Sequence, residues 1–492
     1  MQWRVLDVQH ADEYVSAKNT SPMTYELIPN IKQFGVYELS VENRSCNLQT
    51  IHLPTSQYTE LFVTIGAIII MLLALSGVRS TWHILKKKFN KTQVDEPAPK
   101  EQKKRRVKAI DTFRGASILF MIFVNDGSGG YPILGHATWN GLLIGDLVFP
   151  CFMWIMGVCI PIALSSQIKR MTPKRTITYA IVKRSILLFL IGVALNTVYS
   201  GPQLERLRIF GVLQRFGISY LCVALIFLYL IPEKSKKPQT PFSRSIQDIA
   251  VLLPQWLVMI VIAIIHCVLT FSLRVPDCPT GYLGPGGRHD DGVYFNCTGG
   301  SAGYIDNIIL TGNHIYQRPL ISSVYGSGPF DPEGILGCLT SIFQVFLGVQ
   351  AGVIMMTYKD WKERVIRWLL WAAFFGCVGC VLHFSGIIPV NKNLWSLSFV
   401  FVTTCFALAF FSGCFILVDV LKVWRGGPFR IPGMNALVLY VGHSLCYKVF
   451  PFHWQIGDMD SRYLRLLEAI WGVALWTVVA YIMHRKRTYI SL

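Results

Sequence analysis

Of the 492 residues, 52% are hydrophobic and only 15% charged, and the mean hydropathy is +0.43. These values exclude an ordinary soluble domain and point to a polytopic membrane protein, with the lipid bilayer as its surroundings. The net charge of +18 would suit nucleic acid, but the basic residues are not interleaved with stacking aromatics and cluster in short connections between apolar stretches, so no nucleic-acid partner is expected.

Residues 1–56 are polar, and the alternation in FGVYELSVE (Phe34 to Glu42) reads as a strand, so this segment is expected to be a short lumenal β element. MQWRVLDVQHADEY has no apolar run of the kind that opens a signal peptide. Either the sequence starts inside a longer protein or the first apolar helix carries the N-terminus across the membrane. That helix is expected within 57–80, followed by a basic linker over 81–110 that contains Lys86, Lys87, Lys88, Lys103, Lys104, Arg105 and Arg106. Positive loops stay cytoplasmic, which puts the N-terminus on the lumenal side.

Ten further apolar stretches follow, near 111–125, 141–165, 178–198, 208–231, 249–273, 335–357, 366–388, 395–421, 434–450 and 465–484. Each approaches the ~20 residues that cross a ~30 Å hydrocarbon layer. The expected fold is therefore an α-helical polytopic membrane protein of about eleven transmembrane helices: the first helix, then a ten-helix domain over 111–485 with a lumenal loop over 274–334. The basic clusters Lys169/Arg170/Lys174/Arg175, Lys234/Lys236/Lys237, Lys359/Lys362/Arg364 and Lys422/Arg425/Arg430 all fall on the side of the first basic linker. The tail 486–492 is then cytoplasmic, and its Tyr489-Ile490-Ser491-Leu492 has the form of an endocytic sorting address.

The sequons at Asn19, Asn43 and Asn296 fall on the lumenal side and are candidate glycosylation sites, while Asn90 falls on the other side. Cys46, Cys278 and Cys297 lie on the lumenal side too, where an oxidising compartment allows a disulfide among them. Cys46 with Cys297 is the pairing that ties the N-terminal segment to the long loop, leaving Cys278 free or paired elsewhere. The Cys377-to-Cys380 CxxC lies inside an apolar span and reads as two small buried hydrophobes.

Chemistry concentrates between Asp111 and Pro150, where Asn125, Asp126, His136, Asn140 and Asp146 sit among Gly127, Gly129, Gly130 and Gly135. Polar groups at membrane depth are costly, so such a cluster marks a candidate site. His136 is the candidate base or nucleophile, since an imidazole of pKa ~6.5 changes charge near neutrality. Asn125 ends the second span, where its amide either caps the helix or steadies an oxyanion. Asn140 and Asp146 are supporting polar groups. Arg114, Arg184 and Arg215 lie within the spans and either pair inside the bundle or line an anion path suited to phosphates. No phosphate-binding glycine loop of the soluble kinds occurs, GGSAG (299–303) lacks a strand-turn-helix context, and the scattered His266, His383, His443 and His453 suggest no metal.

The blocks DTFRG (111–115), FVN (123–125), HATWNGL (136–142), DLVFP (146–150), GVLQRFG (211–217), CPTGYLGPGG (278–287), NCTGGSAGYID (296–306), DPEGILG (331–337), FLGVQAG (346–352), NKNLWSLS (391–398), GMNALVLYVGH (433–443) and FPFHW (450–454) together resemble the heparan-α-glucosaminide N-acetyltransferase family. The resemblance runs from about Phe34 onward. It implies a homodimeric lysosomal membrane acyltransferase with a cytoplasmic C-terminus. Such an enzyme takes acetyl from cytosolic acetyl-CoA, the donor substrate, and places it on the terminal α-glucosamine of heparan sulfate in the lumen. The family's active-site histidine matches His136 and its neighbouring asparagine matches Asn125. Residues 1–56 correspond to the tail of a larger lumenal β domain.

Two routes are open: direct attack of the amine on the thioester with His136 as base, or acetyl transfer through His136. In a lumen near pH ~5 a free imidazole of pKa ~6.5 is mostly protonated, so burial of His136, or a cation beside it, is expected. A membrane transporter and an acyltransferase for a different sugar are the alternatives.

Overall fold

The computed structural model describes residues 36–42, 45–52, 58, 61–71, 74, 106–201, 203–231, 244–450, 452–457, 459 and 461–490. Its contacts divide the chain into two units, Met1–Lys104 and Arg105–Leu492. In the first unit β1 (Val36–Glu42) pairs antiparallel with β2 (Ser45–His52), with Leu39 opposite Leu48. An apolar helix, α1 (Leu61–Met71), follows. Asn19, Asn43 and Asn90 lie outside the described residues.

Among its described residues the second unit is built of helices joined by loops. Its long elements are α2 (Lys108–Asn125), α3 (Val148–Lys169), α4 (Lys174–Ser200), α5 (Val212–Leu230), α6 (Leu253–Ser272), α7 (Ile335–Thr357), α8 (Trp361–Phe384), α9 (Leu397–Phe415), the short α10 (Ala436–Leu445) and α11 (Arg462–Arg485). Among the described residues eight helices are long and apolar enough to cross a membrane: α3 to α9 and α11. The other three expected spans are present as helices of a different kind. Eleven residues of α1, Leu61–Met71, form a helix among the described residues, α2 carries Lys108, Asp111 and Arg114 in its first two turns, and α10 has ten residues. The chain is an α-helical polytopic membrane protein.

At the centre lies α7, buried from Leu336 to Met355. It approaches α3 so closely that a Cβ on Gly157 would stand 1.9 Å from the Val345 carbonyl oxygen, and one on Gly348 2.0 Å from that of Trp154. Small residues at both contact points let the two backbones meet, which is how helices pack where lipid offers no hydrophobic drive. Polar side chains on α7 are satisfied by neighbouring elements: Gln344 donates to Thr403 Oγ1 at 3.1 Å and accepts from Trp395 Nε1 at 3.0 Å, and Gln350 donates to Asp248 Oδ2 at 2.8 Å. Phe113, Trp154, Trp368 and Phe411 form an aromatic cluster beside it, with ring centroids 5.1–6.0 Å apart. By contrast α6 exposes Leu257, Ile260, Val261, Ile264 and Ile265, an apolar face that suits lipid.

The helix starts follow local chemistry. Asp360 caps α8 by accepting from Lys362 N at 3.3 Å, and Ser396 caps α9 by accepting from Phe399 N at 3.3 Å. In the long loop Cys278 is bonded to Cys297. This corrects the expected Cys46–Cys297 pairing, because Cys297 has one sulfur and its partner lies 19 residues away in the same loop, a short closure. Asn296 beside it is exposed.

Candidate active site

The loop from Asp126 to Leu143 is held in shape by its own backbone. Gly145 N donates to Gly135 O at 3.1 Å, and a side chain at Gly145 would collide with that carbonyl, so the loop closes on itself and sets His136 against Asp146. Gly129, at φ +63°, packs its Cα against Leu466 of α11 where no Cβ fits.

Asp146 is fully buried and carries four contacts. Its Oδ2 accepts from Ala137 N and Leu143 N, both at 3.0 Å, and its Oδ1 lies 2.9 Å from His136 Nδ1 and 3.3 Å from Lys392 Nζ. With the imidazole proton on Nδ1 and donated to Asp146, the Lys392 ammonium, 3.0 Å from the same nitrogen, directs its hydrogen to the carboxylate. Nε2, on the far side of the ring, is then left as a free base. The expected burial of His136 is only partial: its side chain is 38% exposed and lines a cavity of about 770 Å³. One edge rests on the buried carboxylate while the other opens to the cavity. Even so, partial burial first, and the Lys392 ammonium second, hold the His136 pKa below its ordinary value, opposed by Asp146. The cation is there, but burial is only partial.

Lys392 reaches this place through a seam between loops. Asn140 and Asn391 form a β-bridge in which Asn391 Nδ2 donates to Asn140 Oδ1 at 3.1 Å. Gly141 N donates to Val390 O at 2.8 Å, and Asn393 Nδ2 donates to Thr138 O at 2.9 Å. Asn140 is thus a positioning group.

Asn125 lines the same cavity, but its Nδ2 is 2.8 Å from His443 Nε2, and His443 donates from Nδ1 to Leu439 O at 2.9 Å. The amide is therefore aimed by a second histidine, and among the described residues its other N–H and its carbonyl oxygen have no partner. Asp126 turns away and lies buried under Gly472, and burial pushes its carboxyl up to about 6. Sequence alone does not single out Lys392 or His443: one stands inside the NKNLWSLS block, the other among scattered histidines.

Opposite, at the start of α2, a second cavity of about 490 Å³ is lined by Arg106, Arg114 and Arg184 and by Tyr489 and Ile490 of the tail. Arg114 donates to Gly433 O and, at 3.0 Å, to Asp111 Oδ1. The Arg184 guanidinium lies 4.5 Å from the centre of the Tyr220 ring, with Nε unpartnered. Arg215 does not join them. It is fully buried, donates to Pro332 O and Gly334 O at 3.1 and 3.0 Å and lies over Trp395, so it braces the turn before α7. Met121, Val212, Leu213 and Tyr440 line both cavities. The two ends of the bundle therefore meet at a common wall. Among the described residues no three His, Cys, Asp or Glu side chains gather as metal ligands.

Fold and site together define a polytopic membrane protein with a histidine–carboxylate centre suited to acid–base or acyl chemistry. Residues 106–236 match the family model for heparan-α-glucosaminide N-acetyltransferase, catalytic. The chain is similar to the heparan-α-glucosaminide N-acetyltransferase of Mus musculus, 41% identical over 406 residues, which cover 80% of this chain and 62% of that protein. It is also similar to that of Homo sapiens, 43% identical over 396 residues, 78% of this chain and 59% of the relative. The chain thus spans about three-fifths of the length of the curated relatives it matches. Both comparisons carry the resemblance read from the residues. His136, Asn125, Asn140, Asp146, Arg114, Arg184 and Arg215 lie within the matched catalytic segment.

Proposed function

We propose that this chain is a transmembrane N-acetyltransferase that takes acetyl from cytosolic acetyl-CoA and delivers it to the terminal α-glucosamine of heparan sulfate in the lysosomal lumen. The observation that carries the reading is the His136–Asp146 pair on a cavity sharing a wall with a second, arginine-bearing cavity at the other end of α2. Arg114 and Asn125 are eleven residues apart on that helix, about 17 Å at 1.5 Å per residue. A long donor entering at the arginine end with its phosphates held there would carry its thioester inward.

His136 Nε2 takes the proton of the attacking amine, the nitrogen bonds to the acetyl carbonyl carbon, and the thiolate leaves and is protonated as the free thiol. In the alternative order Nε2 itself takes the acetyl and passes it to the amine. Asn125, held by His443, would direct its free N–H to the developing oxyanion. Arg114 and Arg184 are the proposed phosphate contacts. The N-terminus is lumenal and the C-terminus cytoplasmic, with residues 1–56 a lumenal β segment, 81–110 a cytoplasmic linker, 274–334 a lumenal loop and Asn296 a glycosylation site. Homodimer assembly rests on the resemblance.

The test is transfer of labelled acetyl from acetyl-CoA to glucosamine by membranes that hold the chain, wild type beside His136→Ala. Signal in the first and none in the second, at equal expression, is the expected result. Wild-type activity in the variant would sink it.

A further inference from the structure

The cavity beside His136 carries more positive charge than its chemistry uses. Lys392 is balanced by Asp146, and Arg208 is neutralised by Asp331 and Glu333 through contacts of 2.6–2.9 Å while lying 4.5 Å over the Tyr316 ring. Arg206 and Arg318 also line this cavity, both are exposed, and neither side chain has a hydrogen bond or ion pair among the described residues. Both are therefore open to an incoming ligand.

Their loops are fixed to each other. Arg206 ends a short 3-10 turn, Leu204–Arg206, and just beyond it Ile209 N donates to His314 O at 3.1 Å while His314 Nδ1 donates to Leu207 O at 2.8 Å. Gln317 folds back onto Gly312 O and Ile315 O at 2.7 and 2.9 Å, leaving Arg318 to project from a knotted turn. Two guanidiniums on fixed loops, without a partner among the described residues, make a receptor for oxyanions such as carboxylate or sulfate, which arginine meets with paired N–H groups.

We propose that Arg206 and Arg318 form an anion subsite that takes the carboxylate or sulfate of the sugar following the terminal amino sugar of an acidic oligosaccharide. This rests on the proposed function. With the amino group at His136, the rest of the glycan leaves through the open end and passes these residues. The subsite therefore separates acidic chains from the isolated amino sugar, acting on KM and only weakly on kcat. Because both groups are exposed, salt weakens it.

The experiment compares three acceptors: methyl glucosaminide, an unsulfated oligosaccharide in which terminal glucosamine is followed by a uronate, and its sulfated form. Wild type, Arg206→Gln, Arg318→Gln and the double variant are assayed at low and high salt. In wild type the acidic acceptors are expected to have the lower KM, with the advantage shrinking in salt. The double variant should raise KM for acidic acceptors relative to methyl glucosaminide on the order of tenfold, with Arg→Lys at both positions restoring part of it. Loss confined to the sulfated acceptor assigns the subsite to sulfate, and loss on both assigns it to the carboxylate. An unchanged ratio, or an equal loss on all three, overturns the proposal. A wild type that acetylates none of them overturns the proposed function instead, and binding of the sulfated oligosaccharide to purified wild type and double variant then decides on the subsite alone.

Discussion

At the His136 end of the bundle the working side chains stand mostly on loops, and at the Arg114 end the wall is made almost entirely of helices. The first cavity owes its shape to side-chain and backbone bonds between 136–146, 390–393, 204–209 and 314–318. The second is a shaft of Ile118, Phe152, Ile155, Met156, Leu188 and Phe216 lined also by Arg106, Arg114 and Arg184. Loops stitched at many points hold a proton-transfer group in one orientation, whereas an apolar shaft lined also by cations suits a long ligand with an anionic part. On the proposed function, one end serves reaction and the other admission.

The largest effect should come from disturbing the stitched end at its buried charge. Asp146→Asn keeps the size of the side chain but offers His136 an amide that can donate as well as accept, so the proton on Nδ1 is no longer enforced. Transfer should fall by roughly 10²–10⁴ at unchanged expression, the range lost with a positioned acid–base group. Measured rates within a few-fold of wild type would mean that the two cavities do not differ as described.

Lys392→Met sharpens the point through pH. The ammonium lowers the His136 pKa, so its removal raises that pKa and leaves less neutral imidazole on the acid side. The acid limb of the rate profile should move to higher pH, and the rate near pH ~5 should drop roughly tenfold for each pH unit by which the limb moves, with little change at alkaline pH. Parallel profiles in variant and wild type would assign Lys392 a purely structural role.

How far this was readable from the chain differs between the ends. His136 and Asp146 stand out because polar residues are rare in so apolar a sequence and these lie ten apart, so one loop can close them. Lys392 is 256 residues from His136, and nothing local to it announces the contact. Arg215 is a choice the sequence leaves open: an arginine in an apolar helix can line a path or brace a turn, and the carbonyls it meets are 117 and 119 residues away. The spans were legible where apolar runs are long. The run after Gly433 also reads as a span, yet the helix stops at Leu445 and the chain turns at Lys448 in a left-handed conformation, which hydropathy cannot register. The pairing of Cys278 with Cys297 was beyond reach because three cysteines allow three pairings.

The admission end should respond more gently. Arg114→Gln and Arg184→Gln should each raise KM for acetyl-CoA several-fold and leave the acceptor KM alone, since each removes one charged contact of about 1.5–3 kcal/mol discounted for exposure. Arg215→Met should lower the amount of folded protein without moving the donor KM. If Arg215→Met changes donor KM and the other two do not, the cavity at the start of α2 is not the donor site.

The smallest effect is on stability and is read through its response to acid. Asp306, 1% exposed and accepting from Ile335 N at 2.9 Å, has its carboxyl pushed up to about 7 by burial. A carboxyl whose folded pKa is raised stabilises the fold fully below its unfolded value of 3.8, and that contribution is lost as pH rises through about 7. His136, held below its ordinary 6.5, runs the other way and costs stability as pH falls. The two partly cancel in wild type, which is why the substitution matters more than the raw profile. Asp306→Asn keeps an oxygen for Ile335 N and removes the charge. The melting temperature should therefore rise near pH ~7.5 and hardly change near pH ~4.5. Equal shifts at both values would place the cause in packing and not in the buried charge of Asp306.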